Sequence, residues 1–135
     1  MYFKSLMKTS IILTCLIGVG FVYASEEKPV QHLKLKDVTD AATAKAVFTK
    51  DTEALRAKKS LDAKAMQDIH MITYSLEKSV AYYVESGDEK LKLQAKKLAD
   101  VVEELHLSSE NFRKEASMSH LKEYLILADK FKMQI

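Results

Sequence analysis

The sequence predicts an all-α fold, an up-down-up-down four-helix bundle that follows a cleaved signal peptide. Beyond residue 24 the chain has a single proline, Pro29, and a single glycine, Gly87. A chain so poor in turn-forming residues is predominantly helical. Apolar residues also recur at spacings of three and four in four successive stretches, and the connections between these stretches are short. Amphipathic helices joined in this way bury their apolar faces against one another as a bundle.

The N-terminal stretch has the pattern of a secretory signal peptide. Lys4 and Lys8 precede an apolar segment that has no charged side chain. A permanent membrane helix needs about 20 apolar residues, whereas this segment is shorter and is interrupted by Gly18 and Gly20. We therefore expect cleavage after Ala24, export to the periplasm and no stable membrane insertion of the mature chain. The predicted organisation is a signal peptide over residues 1–24, a polar lead-in over 25–36 and a four-helix bundle domain over 37–135.

The charge balance argues against one class of partner. The whole chain has a formal net charge of +2, and Lys4 and Lys8 account for it, so the mature chain is formally neutral. Proteins that bind nucleic acid neutralise phosphates with clustered Lys and Arg, and this chain has no long basic run. We therefore expect no nucleic-acid partner. Cys15 is the only cysteine and would leave with the signal peptide, so neither a disulfide nor a cysteine-based metal site is expected.

The first predicted helix has only a thin apolar face. It follows the stretch Asp37-Val38-Thr39-Asp40, in which an aspartate can cap the helix N-terminus, and it extends to about Lys58. Its apolar positions, which recur every seven residues, are Ala41, Phe48 and Leu55. A homodimer that covers this face is therefore one hypothesis, and a different protein partner is another.

A helical hairpin forms the centre of the predicted bundle. Ser60 is expected to cap the second helix, and Gly87 is expected to end it in the left-handed conformation that glycine favours at helix C-termini. Asp88 then caps the third helix. The apolar positions of the second helix are Ala65, Ile69, Ile72, Leu76, Val80 and Tyr83, and those of the third are Leu91, Ala95, Leu98, Val102, Leu105 and Ser109.

The fourth predicted helix follows a looser stretch from Asn111 to Ser117. Its first apolar stripe contains Leu121, Leu125 and Ala128, and beside this stripe lie Tyr124, Leu127 and Phe131. A helix with this pattern has an apolar face that can complete the bundle.

A polar stripe flanks the core face on each helix of the hairpin. At about 100° per residue, one flank of the second helix consists of Met66, His70, Thr73 and Glu77. The corresponding flank of the third helix consists of Glu103, His106 and Glu110. Side chains three or four residues apart on a helix can meet. If the two flanks face each other, His70 and His106 lie in one layer of the bundle.

These side chains lead to the hypothesis of a transition-metal site. Imidazole suits copper and zinc, and thioether sulfur favours Cu(I). The proposed ligands are His70 and His106, helped by Met66 or Glu103. Copper or zinc is the expected metal. A b-type haem held by two histidines, or by histidine and methionine, is a less favoured alternative because it has no further signature in the sequence.

Two other interpretations of the same residues stay open. In the first, the histidines hydrogen-bond to Glu77 or Glu103 and form an interhelical seam, while Met66 fills a gap in the core. In the second, His70 is a general base, but nucleophilic catalysis also needs an activated hydroxyl and an oxyanion site. Hydroxyls in the middle of a helix tend instead to bond to the preceding turn, so we expect no enzymatic activity. A carboxylate di-iron bundle needs two Glu-x-x-His motifs, and the one from Glu103 to His106 stands alone.

Three blocks of the sequence also carry a family resemblance. Two of these blocks resemble the signature blocks of a family of small exported bacterial proteins. They are His70-x-x-Thr73-Tyr74-x-Leu76-Glu77 and Glu103-Glu104-Leu105-His106-Leu107-Ser108-Ser109-Glu110. Val30-Gln31-His32-Leu33-Lys34 is similar to a short block after the signal peptide in that family. The resemblance implies a periplasmic bundle with no assigned activity, and it implies that His32 belongs with His70 and His106. We therefore predict a small periplasmic, non-enzymatic bundle that binds copper or zinc or, alternatively, a structural or protein-interaction bundle with no ligand.

Overall fold

The computed structural model describes residues 33–135, and the regular secondary structure in this part of the chain is entirely α-helical. The helices are α1 (Ala41–Arg56), α2 (Ala63–Ser86), α3 (Glu89–Glu110) and α4 (Lys114–Lys132). The prediction of an all-α, four-helix fold is therefore confirmed. None of these helices combines the length and the apolar composition needed to cross a membrane. The predicted signal peptide, most of the polar lead-in and His32 lie outside the described residues.

Aspartate side chains begin the first three helices. Asp40, Asp62 and Asp88 each accept a hydrogen bond from the backbone N–H three residues ahead, at 2.8 Å in every case. These backbone hydrogen bonds lower the pKa of Asp40 and Asp62, because they stabilise the charged carboxylate. The prediction that Ser60 caps α2 is wrong. Its hydroxyl donates instead to the Asp62 carboxylate at 3.2 Å and so supports the cap residue.

Gly87 ends α2, but not in the predicted conformation. Its φ of −71° and ψ of 164° are extended values, so the prediction of a left-handed residue is wrong. The turn requires glycine for its small size. A Cβ at this position would lie 2.7 Å from the Tyr83 carbonyl oxygen and 3.2 Å from the Leu91 Cβ.

A left-handed residue instead follows α3. Phe112 has a φ of 53°, and its N–H donates to the Ser109 carbonyl at 3.1 Å. The next N–H, that of Arg113, donates to the Ser108 carbonyl at 2.8 Å. These bonds satisfy carbonyl groups at the end of α3 and direct the chain into α4.

Each helix packs against the next one along the chain, and α4 also contacts α1. The most extensive interface joins α2 to α3. The predicted apolar positions of α2 and α3 are all buried or half-buried, whereas Ala41 of α1 is exposed and Ala44 takes its place in the core. The largest apolar side chains that are almost completely buried are Phe48, Leu55, Ile69, Leu76, Leu98, Leu105, Tyr124 and Phe131.

Polar side chains complete the thin apolar face of α1. The hydroxyl oxygens of Thr52 and Tyr124, both buried, lie 2.6 Å apart and join α1 to α4. Asp51 accepts a hydrogen bond from the Ser75 hydroxyl of α2 at 2.5 Å. Burial raises the pKa of both Asp51 and Tyr124, because an environment with little water disfavours the charged form.

Candidate metal centre

The α2–α3 hairpin brings two histidines into contact. His70 and His106 are equally far along the chain from Asp88, the cap of α3, so an antiparallel pair of helices places them at about the same level. Their ring centroids are 4.7 Å apart and their planes meet at 71°. His70 is half-buried, and only 1% of His106 is exposed. The two histidines from the sequence motifs therefore share one layer of the bundle.

Tyr74 adds a third ring to this layer. Its ring centroid lies 5.1 Å from that of His70 and 4.8 Å from that of His106. The Tyr74 hydroxyl is 3.1 Å from His70 Nε2, and the side chain is buried. If this hydrogen bond is kept, Nδ1 is the His70 nitrogen that a metal ion would use.

Two polar side chains of α2 hold the His106 ring. Thr73 Oγ1 and Glu77 Oε1 lie 3.0 Å and 2.9 Å from His106 Nδ1. The Thr73 hydroxyl donates to the His70 carbonyl at 2.7 Å, so its oxygen accepts from His106, and Nδ1 carries the proton. Nε2 is then the His106 nitrogen that a metal ion would use. A carboxylate placed behind a histidine in this way orients the ring and increases the basicity of its metal-binding nitrogen.

Glu110 completes a group of three potential ligands. It lies one helical turn after His106, and one ligand atom from each of His70, His106 and Glu110 lies within 4.8 Å of the other two. Glu110 is half-buried, and its Oε2 atom is buried without a hydrogen-bond partner within residues 33–135. Burying a carboxylate oxygen without a partner is costly, and a cation at this position would offset that cost.

The other proposed ligands are not members of this three-residue group. Met66 is buried in the apolar core. Glu103 is exposed and lines a groove between α2 and α3 that lies nearer the hairpin turn. His32 is outside the described residues, so its role as a ligand stays a prediction. His120 of α4 lies 3.9 Å from Glu104 and is not part of the three-residue group.

Glu110 is the residue that the sequence-based ligand set omits. The sequence does contain a signal for Glu110. Glu110 is four residues from His106, and this spacing is as suitable for a contact on a helix as the spacing of three residues between Glu103 and His106. The rotation of α3 about its axis decides between them. His106 and Ser109 are buried against the neighbouring helices, which leaves Glu110 half-buried and Glu103 exposed.

The three side chains offer two imidazole nitrogens and one carboxylate oxygen. This donor set suits zinc, copper(II) or iron(II), and three protein ligands leave a further coordination position for water. The group itself contains no thioether, the donor that favours Cu(I). Two histidine rings in edge contact have no room for a porphyrin between them, so the geometry does not suit a haem held by this pair.

Comparison of the chain with curated proteins and with solved structures found no match. A protein-family model, by contrast, matches residues 3–133. The match spans all four helices and includes every candidate ligand. The chain therefore belongs to a family of unknown function, DUF6746.

Proposed function

We propose that the bundle binds a divalent transition-metal ion, zinc or copper(II), through His70, His106 and Glu110. The observation that carries this proposal is the approach of their ligand atoms to within 4.8 Å of one another, with His106 buried and His70 and Glu110 half-buried. Zinc ligands lie about 2.0–2.2 Å from the ion. Small side-chain rotations would therefore bring the three atoms to bonding distance.

Glu77 and Thr73 support the same role. A metal-ligating histidine commonly donates its other N–H to a carboxylate, and Glu77 Oε1 lies in that position, 2.9 Å from His106 Nδ1. The Thr73 hydroxyl ties His106 to the backbone of α2. Because these groups project from helices rather than loops, ion binding would require little ordering of the chain.

In this proposal, the protein is in the periplasm and binds the ion without catalysing a reaction. Export is supported by the signal-peptide pattern of residues 1–24. The lack of catalysis is supported by the hydroxyls of Thr73 and Tyr74, which already serve as hydrogen-bond partners for the histidine layer. Mass spectrometry of the chain from a periplasmic extract should find a protein that begins at Ser25. An uncleaved chain confined to the cytoplasm would contradict the proposed export.

The same contacts favour a second function, in which the layer is a polar seam without a ligand. The bonds from His106 to Thr73 and Glu77 join α3 to α2, and they would fix the helix register in a structural or partner-binding bundle. The two functions differ in one measurable respect. Only the metal-binding function makes the stability of the native state depend on an added ion.

The test is a titration of the untagged, metal-free protein with Zn(II) and with Cu(II), monitored by calorimetry and thermal unfolding. An ion at about 100 times its Kd stabilises the native state by about 2.7 kcal/mol, so Tm should rise. A His70→Ala, Glu110→Gln double variant should lose most of this rise. His120→Ala removes a histidine outside the group and should retain it.

Two results would reject the metal-binding function. The first is a native protein whose Tm responds to neither ion. The second is an equal response in the native protein and the double variant, because the ion would then bind elsewhere. His70 and Glu110 are only half-buried, so their substitution spares the buried His106, and circular dichroism of each variant verifies that the helices are kept.

A further inference from the structure

A groove between α2 and α3 lies beside the candidate metal centre, nearer the hairpin turn. It has a volume of 380 Å³, within the range of about 300–1,000 Å³ that is typical of small-molecule sites. Its apolar lining consists of Ala81, Val84, Ala99 and Leu107. The groove is therefore large enough for one small organic molecule with an apolar body.

The charged side chains that line this groove are all acidic. They are Glu77, Glu85 and Glu103, and no lysine or arginine of the described residues is among the lining. The remaining lining residue is His106 of the candidate metal centre, whose Nδ1 lies 2.9 Å from Glu77 Oε1. Glu85 and Glu103 are exposed, and within residues 33–135 their carboxylates form no hydrogen bond or ion pair. Lys78, the nearest basic residue along α2, pairs instead with Asp37 at 2.6 Å. Glu85 and Glu103 thus have no compensating cation in the lining of the groove, whereas one oxygen of Glu77 accepts a hydrogen bond from His106.

The acidic side chains are distributed along the groove rather than gathered at one point. Glu77 and Glu85 are separated by about two turns of α2, or about 12 Å along the helix axis, with Ala81 midway between them. Glu103 contributes a further carboxylate from α3. A ligand that matches this pattern carries a positive charge at each end and an apolar chain between the charges.

We propose that the groove binds a small aliphatic diamine, whose ammonium groups contact the glutamates and whose carbon chain covers the apolar lining. Ammonium–carboxylate hydrogen bonds are stronger than neutral ones, and removing the apolar lining from water adds to the affinity. An anion would meet three carboxylates, and these carboxylates are not among the side chains whose ligand atoms lie close enough together to share a metal ion. The groove adjoins the candidate metal centre, because His106 and Glu77 are part of its lining, but Glu85 and Glu103 are not among the proposed metal ligands.

The experiment compares 1,5-diaminopentane with 1-aminopentane, which has the same carbon chain and one charge fewer. Each is titrated into the metal-free protein at low ionic strength, and binding is followed by calorimetry and by NMR shifts of the backbone amides. The diamine should bind about tenfold more tightly or better, because it forms an additional charged hydrogen bond. The shifted amides should lie around Ala81 and Ala99, which line the groove.

Two double variants separate a specific site from general charge attraction. Glu85→Gln with Glu103→Gln should weaken the diamine about tenfold. Glu104→Gln with Glu123→Gln removes the same charge from exposed positions outside the groove and should leave the affinity unchanged. Any of three results would overturn the proposal. They are equal affinities for the two amines, an equal loss of diamine affinity in both double variants, and the absence of saturable binding. Zinc affinity should be the same in both double variants, so failure of the diamine site is distinguishable from failure of the metal site.

Discussion

Glu77 contacts the candidate metal centre without belonging to its three proposed ligands. Its carboxylate is the acceptor for His106 Nδ1–H, and its own side chain is partly exposed at the groove. A carboxylate in this position acts on a metal ion through the histidine, because it fixes the tautomer and increases the basicity of Nε2. Glu77 is therefore a positioning residue in this account.

Substitution of Glu77 by Gln is expected to weaken zinc binding by about 10- to 100-fold. The amide oxygen can still accept the Nδ1–H bond, but it lacks the negative charge that makes the ligand nitrogen more basic. The measurement is Kd by competition with a chromophoric chelator, together with the Tm of the metal-free protein. Glu85→Gln, the same change on the same helix without a His106 contact, is the control. A Kd unchanged in Glu77→Gln would show that this carboxylate does not assist the site.

The sequence predicts the proximity of the two histidines but not the identity of the carboxylate beside them. Helical periodicity alone puts His70 and His106 on flanks of an antiparallel pair. The choice between Glu103 and Glu110 depends on how far α3 is rotated toward α2, and that rotation is determined by tertiary packing of residues such as Ser109, which is fully buried. Periodicity likewise cannot tell that Met66 packs in the apolar core.

At the scale of elements, the turn between α2 and α3 determines which residues share a layer. Gly87 takes up an extended conformation, and its N–H donates to the Tyr83 carbonyl at 3.1 Å. Asp88 then caps α3 at once. The sequence correctly predicts the position of this turn, because glycine and aspartate are the strongest helix-ending and helix-beginning signals in the chain. The structural reason for glycine at this position differs from the predicted one. The turn needs a residue without a side chain, and it does not need a positive φ.

Gly87→Ala is expected to lower the free energy of unfolding by about 1–2 kcal/mol. A Cβ placed 2.7 Å from the Tyr83 carbonyl oxygen must displace backbone, and this cost exceeds the gain from reducing the freedom of the unfolded chain. Urea denaturation followed by circular dichroism measures the change. Ser86→Ala, at the adjacent exposed position, is the control and should be nearly neutral. A variant at Gly87 that equals or exceeds the native stability would show that the close approach is not a constraint.

At the scale of the whole molecule, the bundle depends on the closure of α1 against α4. Phe48 and Phe131 pack with ring centroids 5.3 Å apart, and the Thr52 and Tyr124 hydroxyls form a buried hydrogen bond beside them. The sequence indicates only that the apolar face of α1 is thin. Long-range partners such as Tyr124 for Thr52, 72 residues apart, cannot be read from local patterns, because they depend on how all the helices pack. The predicted homodimer stays a prediction.

Tyr124→Phe is expected to lower the free energy of unfolding by about 1–3 kcal/mol, because it leaves the Thr52 hydroxyl buried without this partner. Replacing both residues, as Thr52→Val with Tyr124→Phe, should restore part of the loss, since no polar group is then left unsatisfied. Urea denaturation of the two single variants and the double variant gives the coupling energy. Strictly additive effects of the two substitutions would contradict a stabilising hydrogen bond between α1 and α4.

The most direct test of the proposed metal centre is anomalous X-ray scattering at the zinc absorption edge from crystals of the zinc-loaded protein. The account predicts one strong peak in the α2–α3 layer. This peak should lie about 2.0–2.2 Å from a His70 ring nitrogen, from His106 Nε2 and from a Glu110 carboxylate oxygen. Zinc found only elsewhere, for example between His120 and Glu104, would contradict the account, as would a crystal with no ordered zinc at saturating concentration.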